Sequence, residues 1–190
     1  MPTPVISNSF NDLIEATAND DYLHWVYELN VLSVFDDIKY DRSDIDILSP
    51  AMRHYAAKFL KNQGFRQKSG QCFVSPDCEE KLWMPKPSVL GASPFDITRY
   101  IKRDVSDAII LTPTQTAAFL FDRLELKDAV SEIAVLIEQQ PINLLKLRDH
   151  IPRYGDRDRY TQAFPYLRFC QRKAIERPHM RFKRSLGSVF

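Results

Sequence analysis

Two aspartates separated by one residue, Asp44 and Asp46 in the run DIDIL (residues 44–48), are the side chains best spaced for chemistry in this sequence. On an extended strand, residues i and i+2 project from one face with Cα atoms ~6.5–7 Å apart. Two carboxylates so placed at a strand end can converge on a divalent cation. Mg2+ suits such a pair, because it takes oxygen ligands at ~2.0–2.1 Å and fills its other positions with water or substrate phosphates. A metal held this way aligns a triphosphate for in-line attack and offsets its charge. The alternative for the same alternation is a polar strand face meeting solvent, with Ile45 and Ile47 turned inward. The four histidines (His24, His54, His150 and His179) lie far apart and lack metal spacing such as His-x-x-x-His. The chain has no Gly-x-Ser-x-Gly elbow, no Walker phosphate loop and no dinucleotide fingerprint. Cys72, Cys78 and Cys170 are odd in number and form no Cys-x-x-Cys pair, so they read as reduced thiols rather than as a disulfide framework or a zinc site.

A second concentration of reactive character lies near the C-terminus. The formal net charge is only +1, but residues 153–190 carry ten basic and three acidic side chains, and residues 1–152 are acidic in balance. Arg168, Arg172, Lys173, Arg181, Lys183 and Arg184 interleave there with Tyr154, Tyr160, Phe164, Tyr166, Phe169 and Phe182. Cationic side chains supply phosphate contacts and aromatic rings supply stacking surfaces, so the segment is a candidate contact for RNA or DNA. The competing expectation is that the aromatics dock the segment onto the body while the arginines face water or the body's acids. Seven aromatics, counting Phe190, are too many for a free linker, which favours docking and makes nucleic-acid contact secondary.

The elements that must position these groups follow from periodicity and punctuation. A chain of 190 residues with 44% hydrophobic and 27% charged residues is sized and composed for one globular domain, or one domain with a helical appendage. No apolar run reaches the ~18–20 residues of a membrane span, and Met1–Phe10 lacks the pattern of a secretory leader. The expectation is a cytoplasmic protein with no membrane partner. Residues 10–18 predict a short helix, and residues 22–35 a strand followed by a helix or a second strand. DIDIL predicts a strand. Ser49 as cap, Pro50 at the first helical position and Gly64 just past the end frame a helix carrying Met52, Tyr55, Ala56, Phe59 and Leu60 on one stripe. Short strands are expected at 71–75 and 80–84, a helix at 93–101, and a buried strand at 107–111. Helices follow from Thr112-Pro113 to about Leu124, at 129–139 and at 142–150, with a further one around Phe164–Gln171. This order predicts an α/β (α+β) fold, with a small mixed sheet, flanking helices and a C-terminal helical cluster. The expected division is a core over 1–111, a helical cluster over 112–152 and a basic extension over 153–190.

The segment YDRSDIDIL resembles the Arg-x-Ser/Thr-x-Asp-Ile-Asp-Leu strand of nucleotidyltransferase-superfamily proteins of the AbiEii-like bacterial kind. KFLKNQGF, MPKPSVLG and IILTPTQTAAFLFDRLELKD extend the likeness in the same order, over roughly residues 10–150. The resemblance implies transfer of a nucleoside monophosphate from a Mg2+-bound nucleoside triphosphate to an RNA or protein acceptor. It makes Asp44 and Asp46 the catalytic, metal-binding carboxylates and Arg42 a cofactor-site candidate, paired with a carboxylate or approaching a phosphate; as a surface arginine it would do neither. The family has Gly-Gly or Gly-Ser where backbone amides approach the triphosphate, a place that demands small residues. This chain offers Glu28-Leu29 there or, under another alignment, Leu32-Ser33, which makes Ser33 the nucleotide-binding candidate. The family's third carboxylate aligns with Trp83, and Glu79 and Glu80 lie nearby but out of register. These departures imply an alternative: a catalytically inactive binding protein on the same fold, such as a toxin–antitoxin or mobile-element component. It would contact nucleic acid or a protein partner through its basic tail.

Overall fold

The structure is a computed structural model and describes residues 8–35, 47–75, 80–85, 104, 106–148 and 157–177. The chain divides into two compact units, one drawn from Met1–Val34 and Ile47–Thr112, the other from Phe35–Asp46 and Pro113–Phe190.

The first unit is built on a six-stranded mixed sheet. Helix α1 (Asn8–Ala18) leads into β1 (Leu23–Val26), a single 3-10 turn (Tyr27–Leu29) and β2 (Val31–Val34). Helix α2 (Pro50–Asn62) follows, then β3 (Arg66–Ser69), β4 (Cys72–Val74), β5 (Lys81–Trp83) and β6 (Ala108–Leu111). The spatial order is β1-β2-β6-β5-β4-β3. β6 runs parallel to both of its neighbours, β2 and β5, and the remaining pairs are antiparallel. A strand between two parallel partners is covered on both faces and must be apolar throughout. AIIL meets that demand, with all four residues fully buried. The mixed α+β architecture expected from the sequence is therefore present.

Local chemistry explains the turns. Asn30 adopts φ +49, a left-handed conformation that asparagine tolerates better than most residues. Its carbonyl accepts the Ile109 amide at 3.0 Å, so the β1–β2 corner is tied directly to β6. Ser49 caps α2 as its spacing predicts, its Oγ accepting the Met52 amide at 3.2 Å. Gly64, at φ +86, ends the helix as expected. Met52, Ala56 and Leu60 form the buried stripe of α2, and Phe10, Leu13 and Ile14 that of α1. The Phe10 ring lies 5.4 Å from that of Trp25 and 6.3 Å from that of Phe65. These rings join α1 to β1 and to the residue that leads into β3. The Arg53 guanidinium donates to the Pro85 carbonyl and fastens α2 to the chain leaving β5.

One sequence expectation is amended, and two segments that the sequence left open or unread are now assigned. The strand foreseen over 44–48 does not include Ile47 and Leu48, which bend into the α2 cap; residues 44–46 lie outside the described residues. The cap requires its own extended geometry at Ser49, and Ile47 is turned outward at 37% exposure. β3 was not foreseen, because RQKS is exposed at every position and has no apolar alternation. It exists through backbone pairing with β4. The ambiguous stretch 22–35 is a pair of strands around the tight turn. The helix expected at 93–101 lies outside the described residues.

The second unit is helical: α3 (Pro113–Arg123), α4 (Leu126–Gln139), a short helix over residues 144–148, and α5 (Arg157–Glu176). α4 buries Ala129, Ile133, Leu136 and Ile137. α5 packs along α4 and buries Tyr160, Ala163, Leu167 and Ala174. Tyr160 anchors the start of α5. Its ring meets Phe121 edge-on at 5.8 Å, and its hydroxyl donates to the Leu144 carbonyl. Gln171 accepts the Ile142 amide at 3.1 Å, Arg159 donates to the Leu124 carbonyl, and Arg177 pairs with Glu138 at 3.0 Å. Among the described residues, no helix is long and apolar enough to cross a membrane.

Candidate functional site

Arg42, Asp44 and Asp46 lie outside the described residues, as do Arg181, Lys183 and Arg184. Ser33 sits on β2, fully buried, opposite His24 of β1 and beside Leu111 of β6. Glu28 lies exposed in the 3-10 turn. Among the described residues, no group of His, Cys, Asp or Glu side chains is arranged to hold a metal ion.

Trp83 is committed to a buried acid. Its indole N–H donates to Oδ2 of Asp107 at 2.8 Å. Oδ1 of Asp107 accepts the Lys81 amide at 3.0 Å, and the Asp104 amide adds a longer contact to Oδ2 at 3.4 Å. Asp107 is only 2% exposed, so its carboxylate is a buried tie between β5 and the entry to β6. Sequence reasoning placed Asp107 at the head of a buried strand and gave it no role. The only signal was an acid directly before an apolar run, which says nothing about a tryptophan two dozen residues away. Among the described residues, His24 belongs to no metal-holding group. Its Nε2 is buried with no hydrogen-bond partner, and burial holds the imidazole below its ordinary pKa against a weaker opposing pull from Glu28. Cys72 and Cys170 carry free thiols, and burial pushes the Cys72 thiol up.

The described half of the other candidate group, Arg168, Arg172 and Lys173, lies on one helix face. α5 turns Tyr160, Ala163, Leu167 and Ala174 inward, so Arg168, Phe169, Arg172 and Lys173 fall on the outer side. Helical geometry makes i and i+4 neighbours, which stacks 165, 169 and 173 in one row and 164, 168, 172 and 176 in the next. An open hollow of about 580 Å3 follows these rows. Phe164, Pro165 and Phe169 supply its apolar wall, and Arg168, Arg172 and Lys173 its charge, with Glu176 at one end.

The docking expected of the basic tail is present in α5, but the aromatics divide between two tasks. Tyr160 is buried, while Tyr166 and Phe169 remain 53% and 54% exposed. The Lys173 ammonium lies 5.0 Å from the Phe169 ring centroid, a cation–π distance. A hydrogen bond with Cys170 one turn on pushes the Tyr166 phenol above its ordinary pKa. Arg159 and Arg177 are occupied by the fold, whereas Arg168 and Arg172 make no ion pair or hydrogen bond among the described residues. Pro165 lies inside α5 on its exposed side, where loss of the proline N–H removes one helical hydrogen bond without ending the helix. Three cations and an exposed ring on one ridge can bind phosphates and present a flat apolar surface beside them. Comparison of the chain with protein-family models, curated proteins and solved structures returns no match.

Proposed function

We propose that this protein binds nucleic acid through the outer face of α5, with Arg168, Arg172 and Lys173 contacting backbone phosphates. One observation carries the reading: these cations stand in register with an exposed phenylalanine, while the neighbouring arginines 159 and 177 are tied into the fold. Three phosphate contacts on a single strand give log K a slope of about −2 against log salt. Raising salt from about 50 to 200 mM should then weaken binding by roughly twentyfold. Fluorescence anisotropy with a labelled oligonucleotide measures this directly. Substituting Arg168, Arg172 and Lys173 together by alanine should flatten the salt dependence and cost most of the affinity. Binding that ignores salt, or survives the triple substitution, overturns the proposal. Deleting the tail is a poor substitute for point variants, because residues 160, 167 and 174 belong to the helical core.

A second proposal rests on the sequence around Asp44-Ile45-Asp46: a Mg2+-bound nucleoside triphosphate site, from which a nucleotide would pass to an RNA or protein acceptor. Trp83, bound to Asp107, supplies no third acid to that site. Calorimetry with each of the four triphosphates and Mg2+, using Asp44→Asn and Asp46→Asn as controls, decides it. Absence of wild-type binding to all four rejects it and leaves the binding role alone.

A further inference from the structure

We infer that the α5 hollow takes unpaired bases, so that the ligand is single-stranded RNA or DNA and Phe169 is a stacking platform. The inference rests on the nucleic-acid reading above and adds the form of the ligand. A duplex offers its phosphates to a basic helix but keeps the faces of its bases stacked on one another. Arginines and lysines alone would serve it. This ridge instead gives prominence to rings. Phe169 keeps about half its surface in water, at 54%, and its helical neighbours 165, 166, 172 and 173 are exposed with it. Phe164 and Pro165, one turn earlier, continue the apolar wall of the same hollow. Every base has a flat π-face, and stacking on an aromatic side chain tolerates any sequence. The Lys173 ammonium stands over the Phe169 ring, so a base that stacks on that face takes its place and leaves the flexible cation within reach of the stacked nucleotide's phosphate. Arg168 and Arg172 flank the ring one turn apart and extend that track. Charge complementarity and exposed aromatic area therefore point to the same occupant. Glu176 marks the end of the track, since a carboxylate repels the next phosphate.

The test compares an oligo(dT) of about 12 nucleotides, long enough to run along the α5 face, with a duplex of the same length, using the full chain and anisotropy. The wild type should bind the single strand more tightly than the duplex. Phe169→Ala should weaken single-strand binding by about tenfold and leave duplex binding within about twofold. Phe169→Tyr should restore the single-strand affinity. Phe169 is on the surface, so circular dichroism of each variant should match the wild type. Equal losses on both ligands, or tighter wild-type binding to the duplex, overturn the inference. If the triple cation variant loses both ligands while Phe169→Ala loses neither, the phosphate contacts stand and stacking is rejected. If the wild type binds neither ligand, both readings fall.

Discussion

Replacing Asp107 with alanine removes the acceptor shared by the Trp83 indole, at 2.8 Å, and the Lys81 amide, at 3.0 Å. A hydrogen bond to a charged group contributes ~1.5–3 kcal/mol. The Asp104 amide at 3.4 Å adds little to the pair. Against this stands the cost of holding a carboxylate at 2% exposure, several kcal/mol for an ion taken out of water. The alanine variant leaves donors without their acceptor and relieves the buried charge, so the net loss should be ~2–4 kcal/mol. Trp83→Phe removes a single donor and should cost ~1.5–2 kcal/mol. The Trp83–Asp107 bond is lost in either variant, so the double variant should fall short of the sum by ~1–2 kcal/mol. Urea unfolding of the wild type, both single variants and the double variant gives the cycle. Additivity within ~0.5 kcal/mol would refute the coupling. An Asp107→Ala protein as stable as the wild type would refute the structural role altogether, since acids held for function are commonly replaced without loss of stability.

Three other outcomes follow from the same structure. Gly64→Ala should cost ~1 kcal/mol through its φ of +86 alone, because an added Cβ meets nothing within 4 Å; thermal melts with no change would exclude that account. Leu60→Ala, at a fully buried position of α2, should lose ~2–5 kcal/mol in urea unfolding, and a loss below ~1 kcal/mol would show that the helix stripe is not packed. His24 has its folded-state pKa lowered by burial, so the unfolded chain binds the proton more readily. Stability is therefore complete above the ordinary histidine value of about 6.5 and declines as pH falls through that value toward the lower folded one. Urea midpoints between about pH 7.5 and 5.5 should show this decline in the wild type and a flatter profile in His24→Gln.

The parts of the fold that could be read beforehand are those whose determinants are local. Ser49, Pro50 and Gly64 fix the ends of α2 by their own chemistry, and the apolar run Ala108–Leu111 announces a doubly covered strand. β3 was illegible because Arg66–Ser69 buries no side chain, and only its partner β4 makes it a strand. The stretch 22–35 was ambiguous because the deciding contact, Asn30 to Ile109, is long-range. At the level of sites, composition marked the basic tail but could not say which arginines the fold would occupy. That depends on where Glu138 and the Leu124 carbonyl stand relative to α5. Trp83 looked like a missing acid until Asp107 appeared as its partner, a pairing no spacing rule encodes.

The position of β6 has a consequence for how the chain matures. The β1–β2 hairpin and the β3–β4–β5 meander share no edge; each can assemble as soon as it is synthesised, but neither touches the other in the sheet. Ala108–Leu111 is the keystone inserted between them, and it emerges last. A ribosome-bound chain ending before residue 108 thus carries two half-sheets with sticky flanks, the condition most open to intermolecular β pairing. Closure by so distant a segment is slow, because a long loop must first be drawn in. Strand order therefore gives the nascent protein a window of vulnerability that the finished one does not have.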